Sequence, residues 1–245
     1  TSAARTTDLL PAICGPSDGR RFNLPTEIAL PLGRYSFLSL FGGATERFRT
    51  VGASITYIQC MLVVCSDTHG TDDPRLTGRT REAVDAADLV IHAGDFTTTA
   101  VLDAFRNRAD RLVAVHGNAD GAGVRDRLPS AATTTYAGVR IAVTHTERGG
   151  ATALSLFGRG RGAALVVSGH THRPTVDVPE TGPTLLNPGS HADPRGNRPG
   201  HAELWAAGSD EAPETVAGAV ASGLVGVLRT PDGEVIDRIR VPAGE

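Results

Sequence analysis

Asp67, His69, Asp95, Asn118, His145, His170 and His172 have the residue types and spacing for metal chemistry. Two groupings are tight: "SDTHG" sets a carboxylate and an imidazole two residues apart, and "SGHTHRP" does the same with two imidazoles. In an extended segment such pairs project to one side, so each could grip one pocket. Carboxylate, imidazole and amide oxygen form a borderline-to-hard donor set suited to Mn²⁺, Fe, Zn²⁺ or Ni²⁺, without the thiolates of a structural zinc site. Seven donors exceed what one ion takes from a protein, whereas two ions sharing a carboxylate would use them and leave room for water. Singly, the residues have plainer readings: Asp67 as a turn cap, Asp95 as a helix N-cap before "FTTTA", Asn118 as a tight-turn residue after Gly117. Only the set points to a catalytic centre.

All seven fall just past the C-terminal ends of stretches that read as strands, the edge at which α/β sheets bind ligands. "MLVVC" and "DLVIHAG" are apolar runs suited to buried strands, joined by the helical pattern "GRTREAVDAA" with Ala83, Val84 and Ala87 on one face. "TTAVLDAFRNRA" repeats the helical pattern with Val101, Leu102 and Phe105 inward, before the strand "RLVAVHG". "TTTYAGVRIAVTHT" reads as two strands turning at Ala137-Gly138, "ATALSLFGRG" as a short helix and "AALVVSGHTH" as another buried strand. Hairpins follow in "PTVDVPETGPTLLNPGS" and around Pro231-Asp232-Gly233, while 206–223 reads as a helical or loop insertion. Parallel units in front and hairpins behind predict an α/β (α+β) chain built as a mixed-sheet sandwich covered by helices.

At 245 residues, 40% apolar and 21% charged, the chain can bury a sizeable core, and it has no apolar run of membrane-spanning length. "IALPLGRYSFLSLFGGA" is interrupted by Pro31 and Arg34 and lacks the order of a secretory signal. Cys14, Cys60 and Cys65 are too few and too irregular for a disulfide framework, and a reducing, cytoplasmic setting is expected. All 24 basic residues are arginine, but the net charge of -3 carries no nucleic-acid signal. The first 60 residues differ: they hold six arginines against four acids and six of the 11 aromatics, and are dense in proline and glycine. Because the sole methionine is Met61, directly before "LVVCSDTHG", residues 1–60 are expected to be an N-terminal extension outside the fold, with the working protein, residues 61–245, beginning at Met61.

Taken in order, "SDTHG", "HAGDF", "GNAD", "THT", "SGHTHRP" and "NPGS" resemble the calcineurin-like metallophosphoesterases, most closely their small bacterial and archaeal phosphodiesterase branch. The resemblance spans roughly residues 61–190, is weaker through the last hairpin and leaves 1–60 uncovered; the branch typically starts one strand before its "SD-x-H" motif, where Met61 stands. It implies a two-sheet mixed β-sandwich flanked by helices, the αββα arrangement, and two divalent cations, Mn²⁺ first with Ni²⁺, Fe or Zn²⁺ as alternatives. Asp67, His69 and His172 would hold one, Asn118, His145 and His170 the other, and Asp95 would bridge. The substrate would be a small phosphate ester attacked by water activated between the cations, with Asn118 also near the phosphate. Homo-oligomers occur in this branch, and the sequence leaves that point open. Where much of the family has histidine after the asparagine, this chain has Ala119, which weakens leaving-group protonation and implies diesters with good leaving groups. A phosphomonoesterase or nucleotide hydrolase on the same scaffold is the alternative enzyme; a non-catalytic protein-binding scaffold, as in a retromer subunit of this fold, is the alternative class.

His92 is expected to orient the bridging carboxylate or pack behind it, and Asp120 to orient the Asn118 loop. His116, His191 and His201 are read as structural, with substrate contact the alternative for His116; Arg195 and Arg198 are read as solvent-facing, with phosphate contact the alternative, and Arg173 as paired with a nearby acid.

Overall fold

The computed structural model describes residues 61–243, together with the backbone of 34–38, 45–51 and 54–57. Those three early segments are β1 (Arg34–Leu38), β2 (Thr45–Val51) and β3 (Ser54–Tyr57), paired antiparallel in the order β1-β2-β3. The other residues of 1–60, on which the reading of an extension turns, lie outside those described.

From Met61 the chain alternates strands and helices: β4 (Met61–Cys65), α1 (Gly78–Ala86), β5 (Leu89–His92), α2 (Thr99–Arg108) and β6 (Leu112–Ala114). A short α3 (Ala122–Arg125) leads into β7 (Ala131–Tyr136), β8 (Val139–Thr144), α4 (Gly150–Arg159) and β9 (Leu165–Val167). Then come β10 (Thr175–Asp177), β11 (Thr184–Asn187), β12 (His201–Ala206), β13 (Gly223–Arg229) and β14 (Val235–Pro242). One mixed sheet has the order β14-β13-β12-β4-β5-β6 and the other β10-β11-β9-β8-β7. β4, β5 and β6 run parallel, as do β8, β9 and β11.

The uniformly apolar strands follow from burial on both faces. Leu62, Val64, Leu89 and Ile91 point inward to meet Ile141, Val143, Leu165 and Val167 of the second sheet. Met61, Val63 and Val90 point outward under α1 and α2, against Val84, Val101, Leu102 and Phe105. On the far side α4 lays Leu154 and Phe157 over Ala142, Val166 and Leu185. The fold is therefore two mixed sheets flanked by helices. The β7–β8 turn is at Ala137-Gly138 as the pattern predicts, with φ of 47° and 78°, the mirror-image geometry favoured in two-residue hairpins.

Between Ala206 and Gly223 the chain forms turns, the loop form of the expected insertion, whereas "HAELWA", not assigned to a strand from sequence, is a central strand, β12, pairing with both β4 and β13. Its polar residues face α1, where Glu203, fully buried, accepts two hydrogen bonds of 2.8 Å from Arg79 and one of 3.0 Å from His201 Nε2. Burial opposes ionisation of Glu203, but the His201 and Arg79 contacts outweigh it and bring the carboxyl from 4.5 to about 2. Since the folded pKa lies below the ordinary one, the stabilisation is complete above about pH 4.5 and fades as pH falls toward 2. Glu203→Gln should lower unfolding free energy by about 3 kcal/mol at neutral pH, with the gap to wild type closing in acid; urea titrations at several pH values would measure it.

Candidate metal centre

The seven donors stand at the C-terminal edges of both sheets. Asp67 and His69 follow β4, Asp95 follows β5 and Asn118 follows β6, while His145 follows β8 and His170 and His172 follow β9. Backbone hydrogen bonds link these loops: Asp67 N–H donates to Gly94 O and His69 N–H to Asp95 O, and Gly169 N–H crosses to His145 O, each at 3.0 Å. His170 N–H donates to both carboxylate oxygens of Asp67, at 3.1 and 3.0 Å.

The local conformation differs from the extended one expected for the two i, i+2 pairs. Asp67, His69, Asp95, His170 and His172 all have left-handed backbone, with φ of 53°, 46°, 60°, 71° and 56°. Such φ values are uncommon outside glycine and mark functional positions when surrounding contacts enforce them. Within each pair both members are left-handed, so the chain coils tightly while still presenting the pair to one pocket.

The donor atoms form an unbroken chain. His172 Nε2 lies 3.4 Å from Asp67 Oδ1 and 3.2 Å from His69 Nε2, which lies 3.4 Å from Asp95 Oδ2. On the other side of Asp95 Oδ2, His145 Nε2 stands at 3.3 Å and is 3.1 Å from Asn118 Oδ1, which His170 Nδ1 approaches to 2.7 Å. Donors about 2.0–2.2 Å from a shared cation are separated from each other by roughly 3.0–3.5 Å, so most of these spacings suit coordination. Asp67, His69 and His172 form one group able to hold an ion, and Asp67, Asp95 and His145 another.

Proton positions point the same way. His145 Nδ1 donates to Ala93 O at 2.7 Å and His172 Nδ1 donates to Asp193 O, which turns each Nε2 lone pair toward the centre. His69 Nε2 faces Arg195 Nη2 at 3.3 Å, and because arginine only donates, that nitrogen is an acceptor too. Lone-pair nitrogens of His69 and His172 thus face each other beside two carboxylates, an arrangement that a cation resolves. Burial pushes the Asp67 carboxyl up, only partly countered by His145 and His172. Burial acts likewise on Asp95, but His145 and the Ala119 N–H outweigh it and hold Asp95 below the usual range. His145 is raised because Asp95 and Asp67 overcome the burial that disfavours its charge.

Supporting residues lie behind the donors. Asp120 accepts from Gly117 N–H at 2.7 Å, as expected for a residue orienting the Asn118 loop, and also from Asp95 N–H at 3.0 Å and Thr97 N–H at 2.7 Å. One carboxylate therefore ties the two loops together. Gly117 is required by the same closeness: a Cβ there would meet Asp95 Oδ1 at 2.2 Å. His92 packs behind the centre without bonding to the Asp95 carboxylate. Gly94 N–H donates to its Nδ1 at 3.2 Å, its Nε2 donates to Thr68 Oγ1 at 2.9 Å, and burial holds it neutral. Cys65, also buried, has its thiol pushed up to about 12 by burial, and so offers no ready thiolate.

Several contributors were not anticipated from sequence. Arg195, expected in solvent, reaches the centre at His69, whereas Arg198 stays outside on Glu234 at 2.7 Å. Arg173 is exposed and has no ion pair among the described residues, contrary to its reading. Arg75 donates to the carbonyls of Thr68 and His69 at 2.9 and 3.2 Å, bracing the first loop. Ser190 Oγ donates to Asp67 O at 2.6 Å, which gives the "NPGS" motif its physical task. Beside Asn118 and His145 opens a cleft of about 410 Å³, lined by His116, Arg125, Thr146, Glu147, Phe157 and Arg161.

Comparison with known proteins bears on the family and the fold. The profile of the calcineurin-like phosphoesterase superfamily domain matches residues 61–207. A probable metallophosphoesterase of Methanocaldococcus jannaschii is 35% identical over 140 residues, covering 55% of this chain and 70% of that protein. Another, from Methanothermobacter thermautotrophicus, is 32% identical over 140 residues, covering 55% and 79%. Among solved structures, a conserved Streptococcus pneumoniae protein predicted to be a phosphoesterase superimposes with a TM-score of 0.52 at 22% identity, covering 74% of this chain and 97% of its own. Vps29 of Chaetomium thermophilum does so with a TM-score of 0.57 at 15% identity, covering 74% and 96%. These structural likenesses concern the fold.

Proposed function

We propose, from the premise that this chain belongs to the calcineurin-like phosphoesterase superfamily, that it hydrolyses phosphodiesters with good leaving groups using two divalent cations. The observation that carries this reading is the convergence of seven donor side chains from both sheets, with Asp95 Oδ2 facing His69 on one side and His145 on the other. Asp67, His69 and His172 would hold one cation and Asn118, His145 and His170 the other, with Asp95 between them. This oxygen and nitrogen set suits Mn²⁺, and also Ni²⁺, Fe or Zn²⁺. The cations would supply Lewis acidity and a water acidic enough to ionise near neutral pH.

The chain's own residues position and polarise. Asn118 Oδ1 faces His145 Nε2 and His170 Nδ1, which leaves its Nδ2, without a hydrogen-bond partner among the described residues, to donate to a phosphoryl oxygen. The carbonyls of Ala93 and Asp193 hold His145 and His172 in the tautomers that face inward. Ala119 brings no proton to a departing oxygen, which favours alcohols that leave as stable anions. The cleft beside Asn118 gives room for the second ester substituent. We place the catalytic unit at residues 61–245, in keeping with a family match that begins at Met61. Among the described residues no helix is long and apolar enough to cross a membrane, and we assign the activity to the cytoplasm.

Arg125, Arg161 and His116 on the cleft wall favour one rival, a monoesterase or nucleotide hydrolase whose substrate carries further negative charge. With Mn²⁺ added, bis(p-nitrophenyl) phosphate should exceed p-nitrophenyl phosphate by at least about tenfold in kcat/KM. Preference for the monoester would replace the diesterase reading with its rival.

A further inference from the structure

We propose that Arg195 is the phosphoryl-oxygen clamp of the centre: its guanidinium donates to a non-bridging oxygen of the ester and holds the charge that grows there during hydrolysis. The proposal rests on the phosphoesterase reading above and adds a residue to it. Arg195 Nη2 lies 3.3 Å from His69 Nε2, at the rim of the donor chain and on the side away from Asn118. Its Nε donates to Asp193 Oδ2 at 3.0 Å, which fixes the fork with Nη2 toward His69.

The loop that carries it is built onto the centre. Ser190 Oγ donates to Asp67 O at 2.6 Å while accepting from Asp193 N–H at 2.7 Å and Ala192 N–H at 3.3 Å. Asp193 O in turn accepts from His172 Nδ1. Arg195 itself is left-handed, with φ of 48°, as the first central residue of a turn that Gly196, at φ 84°, completes and Asn197 N–H closes onto Pro194 O at 2.9 Å. Its ion pair with Asp193 has an arginine side chain that is 56% exposed, so that pair adds little stability. A guanidinium held beside a centre that gathers cations has one anion, Asp193, on its Nε and could take another. A phosphate ester supplies one, and the planar fork matches two of its oxygens. Arg198, on the same loop but paired with Glu234, is the built-in control.

The test compares wild type, Arg195→Ala, Arg195→Lys and Arg198→Ala in the full chain loaded with Mn²⁺. It measures bis(p-nitrophenyl) phosphate kinetics, bound manganese by elemental analysis and inorganic phosphate affinity by calorimetry. Arg195→Ala should lose about 100-fold or more in kcat/KM, the scale of a lost oxyanion donor, with phosphate binding at least about tenfold weaker and manganese content unchanged. Arg195→Lys should recover part of both, and Arg198→Ala should stay within about threefold of wild type throughout. Unchanged kinetics and phosphate affinity in Arg195→Ala would overturn the proposal, as would a parallel loss of manganese, which would make Arg195 a prop for His69. If wild type hydrolyses no ester, the phosphoesterase reading fails by itself. Phosphate affinity then judges the clamp alone, upheld by a loss in Arg195→Ala and overturned if wild type binds no phosphate.

Discussion

Asp95→Asn is expected to reduce kcat on an aryl phosphodiester by about a thousandfold or more, some 4 kcal/mol of transition-state stabilisation, while leaving the fold intact. The fold should survive because asparagine has the same shape and tolerates the left-handed backbone that Asp95 adopts at φ 60°. An amide oxygen can still accept the 2.7 Å hydrogen bond from Ala119 N–H. The opposite edge of the side chain cannot be replaced. Asp95 Oδ2 lies 3.4 Å from His69 Nε2 and 3.3 Å from His145 Nε2, so it faces both halves of the donor chain. A neutral amide there would either offer the proposed cations a weaker oxygen ligand or turn N–H groups toward them. Manganese stoichiometry should therefore fall together with rate. Full activity in Asp95→Asn would refute a bridging role, and circular dichroism would separate loss of chemistry from loss of fold.

Much of the centre was legible because each motif is local. Asp67 and His69, or His170 and His172, are two residues apart, and a strand end delivers them wherever the sheets go. The apolar runs of β4, β5 and β9 were equally plain, since burial on both faces leaves His92, at the end of β5, as their one polar position. β12 was not. His201 and Glu203 alternate with Ala202 and Leu204 as on a half-exposed strand, and only the Arg79 and Thr80 side chains, more than 100 residues away, make that polar face an interior one. Arg195 was hidden for a related reason. Its reach depends on how Ser190 folds the intervening loop against Asp67, a contact that spans 123 residues and has no periodic signature. Long-range polar contacts specify these two features, whereas sequence patterns report mainly what near neighbours and burial decide.

Removal of divalent cations is expected to abolish hydrolysis and to lower the melting temperature by about 5–10 °C, with manganese restoring both. The size follows from linkage: a ligand at about 100 times its Kd stabilises by about 2.7 kcal/mol, and each kcal/mol moves a domain of this size by about 2–4 °C. The centre has reason to respond. Five of its seven residues hold left-handed backbone, at roughly 1 kcal/mol or more each, against which the metal-free chain sets hydrogen bonds such as that from His69 N–H to Asp95 O. Asp67 and Asp95 are buried close enough to repel, one raised and the other lowered in pKa, so the metal-free centre accommodates charge at a cost that cations would remove. Because the donors must be deprotonated to bind, the stabilisation by manganese should shrink as pH falls through the histidine range. Asp95→Asn should show a smaller manganese-dependent shift than wild type, since it loses the oxygen proposed to serve both sites. A melting temperature and a rate that ignore both chelator and manganese would remove the basis for a metal centre here, whatever the geometry of its side chains.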